Sequence, residues 1–178
     1  RLWAVLNALA MSVFLSADEQ SAGTSHTPLP FNPFVDAKEA DVASYVLCDT
    51  DPKNPRRLQS WTIDSLTDTE VTLLQVTRAE GDFKRVPLAL SRNEPPTIEE
   101  LLFDRDVVLK DVRACQEKRL LGDREFDCTR LTSRCDVPGL GESLRMTVWV
   151  SHEVKGIGIV DVRILSADGE QPLRRLAL

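Results

Sequence analysis

The chain has 178 residues, a length that suits one domain with short extensions. Hydrophobic residues make up 42% of it and charged residues 28%, a composition that excludes wholesale disorder. The net charge is −6 at neutral pH and the Lys and Arg residues are scattered, so a nucleic-acid partner is disfavoured.

The sequence opens with an apolar stretch. Residues 2–15 are apolar apart from Asn7 and Ser12, follow Arg1, and lead into small and then acidic residues. The stretch is too short for a hydrocarbon core, which takes about 20 residues, but it has the length of a signal-peptide core. We predict a cleaved signal peptide at 1–17, export to the periplasm or the exterior, and no integral membrane anchor in the mature chain. The alternative is a buried amphipathic helix.

The signal peptide is followed by a segment of different composition. Residues 18–35 are rich in Ser, Thr, Gly and Pro, which is typical of a flexible leader. The remaining residues, 36–178, are predicted to form a single β domain.

Short runs of β-branched and aromatic residues then alternate with polar turns, which predicts a mainly β protein with an antiparallel half-barrel, meander or sandwich. One helix interrupts the strands, because Thr97 and Glu100 form a capping box ahead of apolar residues at helical spacing. Strands are predicted at 42–48, 57–64, 69–78, 83–90, 106–116, 124–132, 143–151 and 157–166.

Alternation is clearest near the end of the chain. Even-numbered residues from Leu144 to Val150 are apolar and are predicted to face the core, which leaves Trp149 on the more polar face. Trp61 shares a face with Ile63. Each indole is interpreted either as a packing residue or as part of a ligand-binding surface.

Three segments resemble motifs of uncharacterised exported bacterial β-domain proteins. The segment 149–160 resembles their Trp-x-Ser-x-Glu-Val...Gly motif, 122–128 resembles their Gly-x-x-Phe-x-Cys strand, and 32–34 with 39–45 resembles their opening strand. More remotely, the order of strands with a covering helix is similar to the half-barrel of lipoprotein-localisation factors. That resemblance implies acyl-chain binding by fold analogy alone.

Motifs for catalysis and metal binding are absent from the sequence. The two histidines lie far apart and no Cys-x-x-Cys pair exists, so neither a metal site nor a cofactor is predicted. Ser151, His152 and Glu153 have the residue types of a hydrolytic triad, but neighbours on a strand point to opposite faces. We predict no catalytic residue, while carboxylates that converge only in the folded chain stay open as an alternative.

Four cysteines in an exported chain favour disulfide bonds. A hairpin with its two-residue turn at 121–122 would place Cys115 opposite Cys128, which leaves Cys48 to pair with Cys135. A shifted turn is the alternative.

These observations favour an exported, non-enzymatic binding or structural protein of the envelope. It is predicted to hold a hydrophobic ligand or an envelope protein on its sheet, with Trp61 and Trp149 as the ligand-binding residues. The alternative function is a hydrolase with a carboxylate-based active site.

Overall fold

The structure is a computed structural model that describes residues 27–49, 57–79, 82–103, 107–136, 143–170 and 172–178. The predicted signal peptide and the leader as far as residue 26 lie outside the described residues.

The described residues form one antiparallel sheet of nine strands and one short helix, so the predicted fold class is confirmed. The strands follow the sheet order β4-β3-β2-β1-β9-β8-β7-β6-β5. The elements are β1 Val42–Asp49, β2 Arg57–Leu66, β3 Glu70–Ala79, β4 Asp82–Ser91, α1 Ile98–Leu102, β5 Val108–Leu121, β6 Arg124–Asp136, β7 Ser143–Val150, β8 Ile159–Leu165 and β9 Pro172–Ala177.

The sheet consists of two meanders joined in the middle. Strands β1 to β4 run from the centre to one edge, and β5 to β9 run from the other edge back to the centre. Helix α1 lies in the connection between the two edges. The pairing of β9 with β1 joins the meanders, with Leu47 opposite Leu176. Strand β9 is not among the predicted strands, because its residues PLRRLA include no β-branched or aromatic side chain.

The predicted capping box of α1 is confirmed. The Glu100 amide donates to Thr97 Oγ1 at 3.2 Å, and the Thr97 amide donates to Glu100 Oε2 at 2.8 Å. The carboxylate of Glu99, which is buried, accepts the Thr27 amide at 3.1 Å. The start of the described chain is therefore hydrogen-bonded to the helix.

One face of the sheet, here called the inner face, carries most of the core, while Phe126 and Cys128 of β6 are buried on the opposite face. The even-numbered residues of β7 from Leu144 to Val150 are buried on the inner face as predicted, with Val162 and Ile164 of β8 beside them. Residues 27–35 also contribute to the core, since Leu29 and Phe34 are buried. This part of the predicted flexible leader is instead packed against the domain.

Trp61 belongs to this core. Its ring is buried and lies perpendicular to the Tyr45 ring, with the centroids 5.1 Å apart. The Tyr45 hydroxyl donates to the Ile159 carbonyl at 2.7 Å, and burial raises the pKa of that hydroxyl far above its usual range. Trp61 is thus placed as a packing residue between β1, β2 and the start of β8.

The predicted register of the β5–β6 hairpin is wrong. Leu121 pairs with Arg124, so the turn residues are Gly122 and Asp123 and not 121–122. Gly122 has a φ of +63°, which glycine adopts without a steric penalty and which the first central residue of a type II′ turn requires. In this register Cys115 lies opposite Arg130, and Cys128 lies opposite Glu117.

The predicted disulfides Cys115–Cys128 and Cys48–Cys135 are not present, because all four cysteines of the chain are free thiols in the structure. Cys128 and Cys135 are buried, Cys48 is half-buried and Cys115 is exposed. Burial raises the pKa of the Cys128 thiol to about 11 and that of the Cys135 thiol to about 12. Both are therefore protonated and unreactive at neutral pH.

These thiols give a direct test of the corrected hairpin. We expect iodoacetamide to label Cys115 first in the folded chain, and Cys128 and Cys135 only after unfolding in denaturant. Peptide mapping without reduction should recover all four cysteines unlinked. A peptide that joins Cys115 to Cys128 would contradict the structure and restore the original register.

Candidate functional site: an arginine cluster on the outer face

The face opposite the core, here called the outer face, carries an unusual polar cluster over strands β5 to β9. Cross-strand pairing places Arg130, Trp149 and Asp161 in one row, on β6, β7 and β8. Paired residues of antiparallel strands share a face, so their side chains are neighbours.

Asp161 is the centre of the cluster and is 0% exposed. Its carboxylate lies 2.5 Å from a terminal nitrogen of Arg119, 3.1 Å from Arg175 Nε and 3.5 Å from Arg163 Nε. The three guanidiniums come from β5, β9 and β8. A buried carboxylate needs such partners, because an unpaired charge out of water is strongly unfavourable.

The cluster has more positive than negative charge. Three guanidiniums carry five N–H donors each, whereas one carboxylate offers about four acceptor positions. The buried Nε atoms of Arg119 and Arg130 have no hydrogen-bond partner among the described protein atoms. The arrangement therefore has spare donors and a net positive charge, which suit an anionic group from outside the chain.

Trp149 lies within the same cluster. Its ring centroid is 4.3 Å from the guanidinium carbon of Arg119 and 5.3 Å from that of Arg163, both within cation–π range. Its Nε1 donates to Glu117 Oε1 at 2.5 Å, and the other oxygen of Glu117 lies 3.1 Å from Arg130. Trp149 is only 6% exposed, so it supports the arginines and does not offer an open indole surface.

The excess of positive charge extends across the outer face of β5 to β9. Lys and Arg residues that are scattered along the sequence are gathered here by the strand register, so no local sequence pattern predicts the cluster. The basic residues on this face are Lys110, Arg113, Arg119, Arg124, Arg130, Arg134, Arg145, Arg163 and Arg175, and the acidic residues are Asp111, Glu117, Asp136 and Asp161. We call this surface the arginine face.

The segment Ser151, His152 and Glu153 has a structural role in the geometry. Strand β7 ends at Val150, so the Asp127 amide of β6 has no partner there and donates to Glu153 Oε1 at 3.0 Å. This hydrogen bond holds the pKa of the Glu153 carboxyl below its usual value. His152 is exposed and Ser151 is buried, so the three do not form a proton relay.

The described part of the chain contains no group of three or more His, Cys, Asp or Glu residues arranged to hold a metal ion. Within the same residues, no helix has the length and apolar character needed to cross a membrane. Among the described residues, hydrogen bonds hold the pKa of the Asp136, Glu153 and Asp168 carboxyls below the usual value.

Comparison with solved structures identifies the fold. The chain is similar to a candidate lipoprotein from Parabacteroides distasonis, with a TM-score of 0.52 and 12% identity over 81% of this chain and 95% of that one. It is also similar to a candidate exported protein with a YmcC-like fold from Bacteroides fragilis, with a TM-score of 0.54 and 10% identity over 86% and 98%. No protein-family model and no curated protein sequence matches.

The first test of the cluster concerns stability. Asp161→Asn removes the shared counter-ion of three guanidiniums, and we expect a loss of about 3 kcal/mol or more in the free energy of unfolding. Arg175→Gln is the control, since Asp161 keeps Arg119 and Arg163 and the expected loss is under about 1 kcal/mol. Both are measured by urea unfolding. Equal stability of Asp161→Asn and wild type would show that Asp161 does not organise the cluster.

Proposed function

We propose that the protein is an exported, non-enzymatic binding protein whose arginine face takes anionic groups of its partner. The observation that carries this proposal is the triad of guanidiniums around buried Asp161, which leaves a net positive charge at a fixed position. Rigid, partly dehydrated guanidiniums bind carboxylates, phosphates or sulfates by charge-assisted hydrogen bonds.

Two observations support the exported location. The apolar N-terminal stretch has the length of a signal-peptide core. The two structures of similar fold are described as a candidate lipoprotein and a candidate exported protein. In that location the partner is a component of the envelope or of the cell exterior, so nucleic acid is not the proposed partner.

An anionic partner fits the outer face better than a purely apolar one held by the tryptophans. Trp61 is enclosed in the core and Trp149 is covered by Arg119 and Arg163, so neither indole offers open apolar area. Of the three guanidiniums around Asp161, those of Arg163 and Arg175 are the more exposed and are open to an incoming anionic group.

The alternative of a carboxylate-based hydrolase gains no support from the geometry of the described residues. A general acid needs a carboxyl whose pKa is raised, usually by an apolar site or a second carboxylate. The two carboxylates nearest Trp149, Asp161 and Glu117, are each paired with arginine. We therefore propose binding.

Binding of inorganic polyphosphate tests the proposal. We expect micromolar or tighter binding to the full-length chain that weakens as salt rises, because salt screens exposed charges. Arg163→Gln/Arg175→Gln should weaken it by at least tenfold, since each charge-assisted bond contributes about 1.5–3 kcal/mol and 1.4 kcal/mol is tenfold. Asp161 keeps Arg119 in this variant, and urea unfolding checks that the variant is folded.

The matched control is Lys38→Gln/Lys155→Gln, which removes the same charge from exposed positions outside the arginine face. Its affinity should stay within about twofold of wild type, because neither lysine belongs to the arginine face. Equal weakening in both double variants would indicate a general charge effect and remove the case for a site at the arginine face.

A further inference from the structure

We propose that the outer face is amphipathic and docks on the surface of an anionic lipid bilayer, with the arginines at the phosphates and an adjoining apolar area at the lipid interface. The inference rests on the proposed function, because it takes the arginine face as the anion-binding part. The apolar area beside the arginine face and the anionic bilayer as partner go beyond the proposed function.

The apolar area lies on the outer face of β1 and β2. Val42, Val46 and Leu58 are 52%, 42% and 43% exposed. Val46 and Leu58 are directly paired across the two strands, and Val42 is on the same face of β1. Ser44 lies between Val42 and Val46 on this face, and we call the three aliphatic side chains together the aliphatic patch.

The aliphatic patch adjoins the arginine face without a break. Val46 pairs with Ala177 of β9, and Ala177 pairs with Asp161 of β8. Neighbouring strands lie about 4.8 Å apart, so Val46 and Asp161 are separated by about 10 Å. In the next row toward the end of β1, Cys48 pairs with Arg175.

The two halves of the outer face differ in charge. Outer positions of β1 and β2 from Val42 to Cys48 and from Leu58 to Thr62 are Val, Ser, Cys, Leu or Thr, and none is charged. The outer face continues over β3 and β4 with Leu74, Val76, Pro87 and Ala89, and it also carries Arg78, which pairs with Leu58, and Arg85, which pairs with Val76. The half over β1 to β4 is therefore partly aliphatic and carries fewer charged residues than the arginine face beside it.

An anionic bilayer is the partner that satisfies both halves. A soluble polyanion would pair with the arginines but leave the aliphatic patch in water. A neutral apolar ligand would cover the aliphatic patch but leave the arginines without an anionic partner. A bilayer surface presents phosphates and an apolar layer a few ångströms below them across a wide plane. Each basic residue near such a surface strengthens binding several-fold. The aliphatic side chains strengthen it further by inserting into the apolar layer.

The test is vesicle co-sedimentation of the full-length chain. We expect binding to vesicles of phosphatidylcholine and phosphatidylglycerol at 3:1, and at least tenfold weaker binding to pure phosphatidylcholine. Val46→Ser/Leu58→Ser should lose at least fivefold in affinity for the anionic vesicles but bind polyphosphate like wild type. The apolar N-terminal stretch is common to all variants, so differences between variants report on the outer face.

Leu120→Ser is the matched control, because Leu120 is exposed on the opposite face of β5. It should bind the vesicles like wild type, and thermal unfolding should show all variants folded. Unchanged vesicle binding by Val46→Ser/Leu58→Ser, or polyphosphate binding without vesicle binding, would overturn the membrane inference and leave the proposed function standing. Polyphosphate binding that is insensitive to Arg163→Gln/Arg175→Gln would instead overturn the proposed function.

Discussion

A carboxylate that is fully removed from water, as Asp161 is, must be surrounded by cations and donors if the folded state is to tolerate it. Asp161 sits on β8, and its partners come from the edge hairpin through Arg119 and from the last strand through Arg175. The same guanidiniums cover Trp149, which explains how an indole on the outer face becomes buried. One buried charge thereby connects strands that are distant in sequence and leaves a surplus of positive charge at the surface.

The sheet organises the rest of the surface around that centre. Because β9 pairs with β1, the two meanders share one continuous outer face. The arginine face lies on β5 to β9, and the aliphatic patch lies on β1 and β2. The two free edges are protected against pairing with other chains: β4 carries Pro87, and β5 has a bulge in which Asp111 adopts a φ of +54° beside Lys110. The buried thiols are compatible with an oxidising compartment, since a protonated thiol of high pKa reacts slowly.

The features that could be predicted from sequence depend on local patterns. Alternation placed the even-numbered residues of β7 in the core, and Thr97 with Glu100 gave the helix start. The hairpin register could not be fixed in this way, because a shift of two residues keeps every side chain on its face and so preserves the hydrophobic pattern. The Asp161 cluster has no local signal either. Its arginines meet only after five strands have paired, and β9, which supplies Arg175, was not predicted.

The most direct test of the Asp161 cluster is its NMR response to an anion. We would record the side-chain Nε–Hε signals of the ¹⁵N-labelled full-length chain during titration with polyphosphate. We expect saturable shifts of the Arg119, Arg163 and Arg175 signals. The signal of Arg92, whose guanidinium donates to the Thr67 carbonyl at 2.8 Å, should stay in place. Unchanged signals from the three cluster arginines, with shifts confined to arginines elsewhere, would contradict an anion site at Asp161.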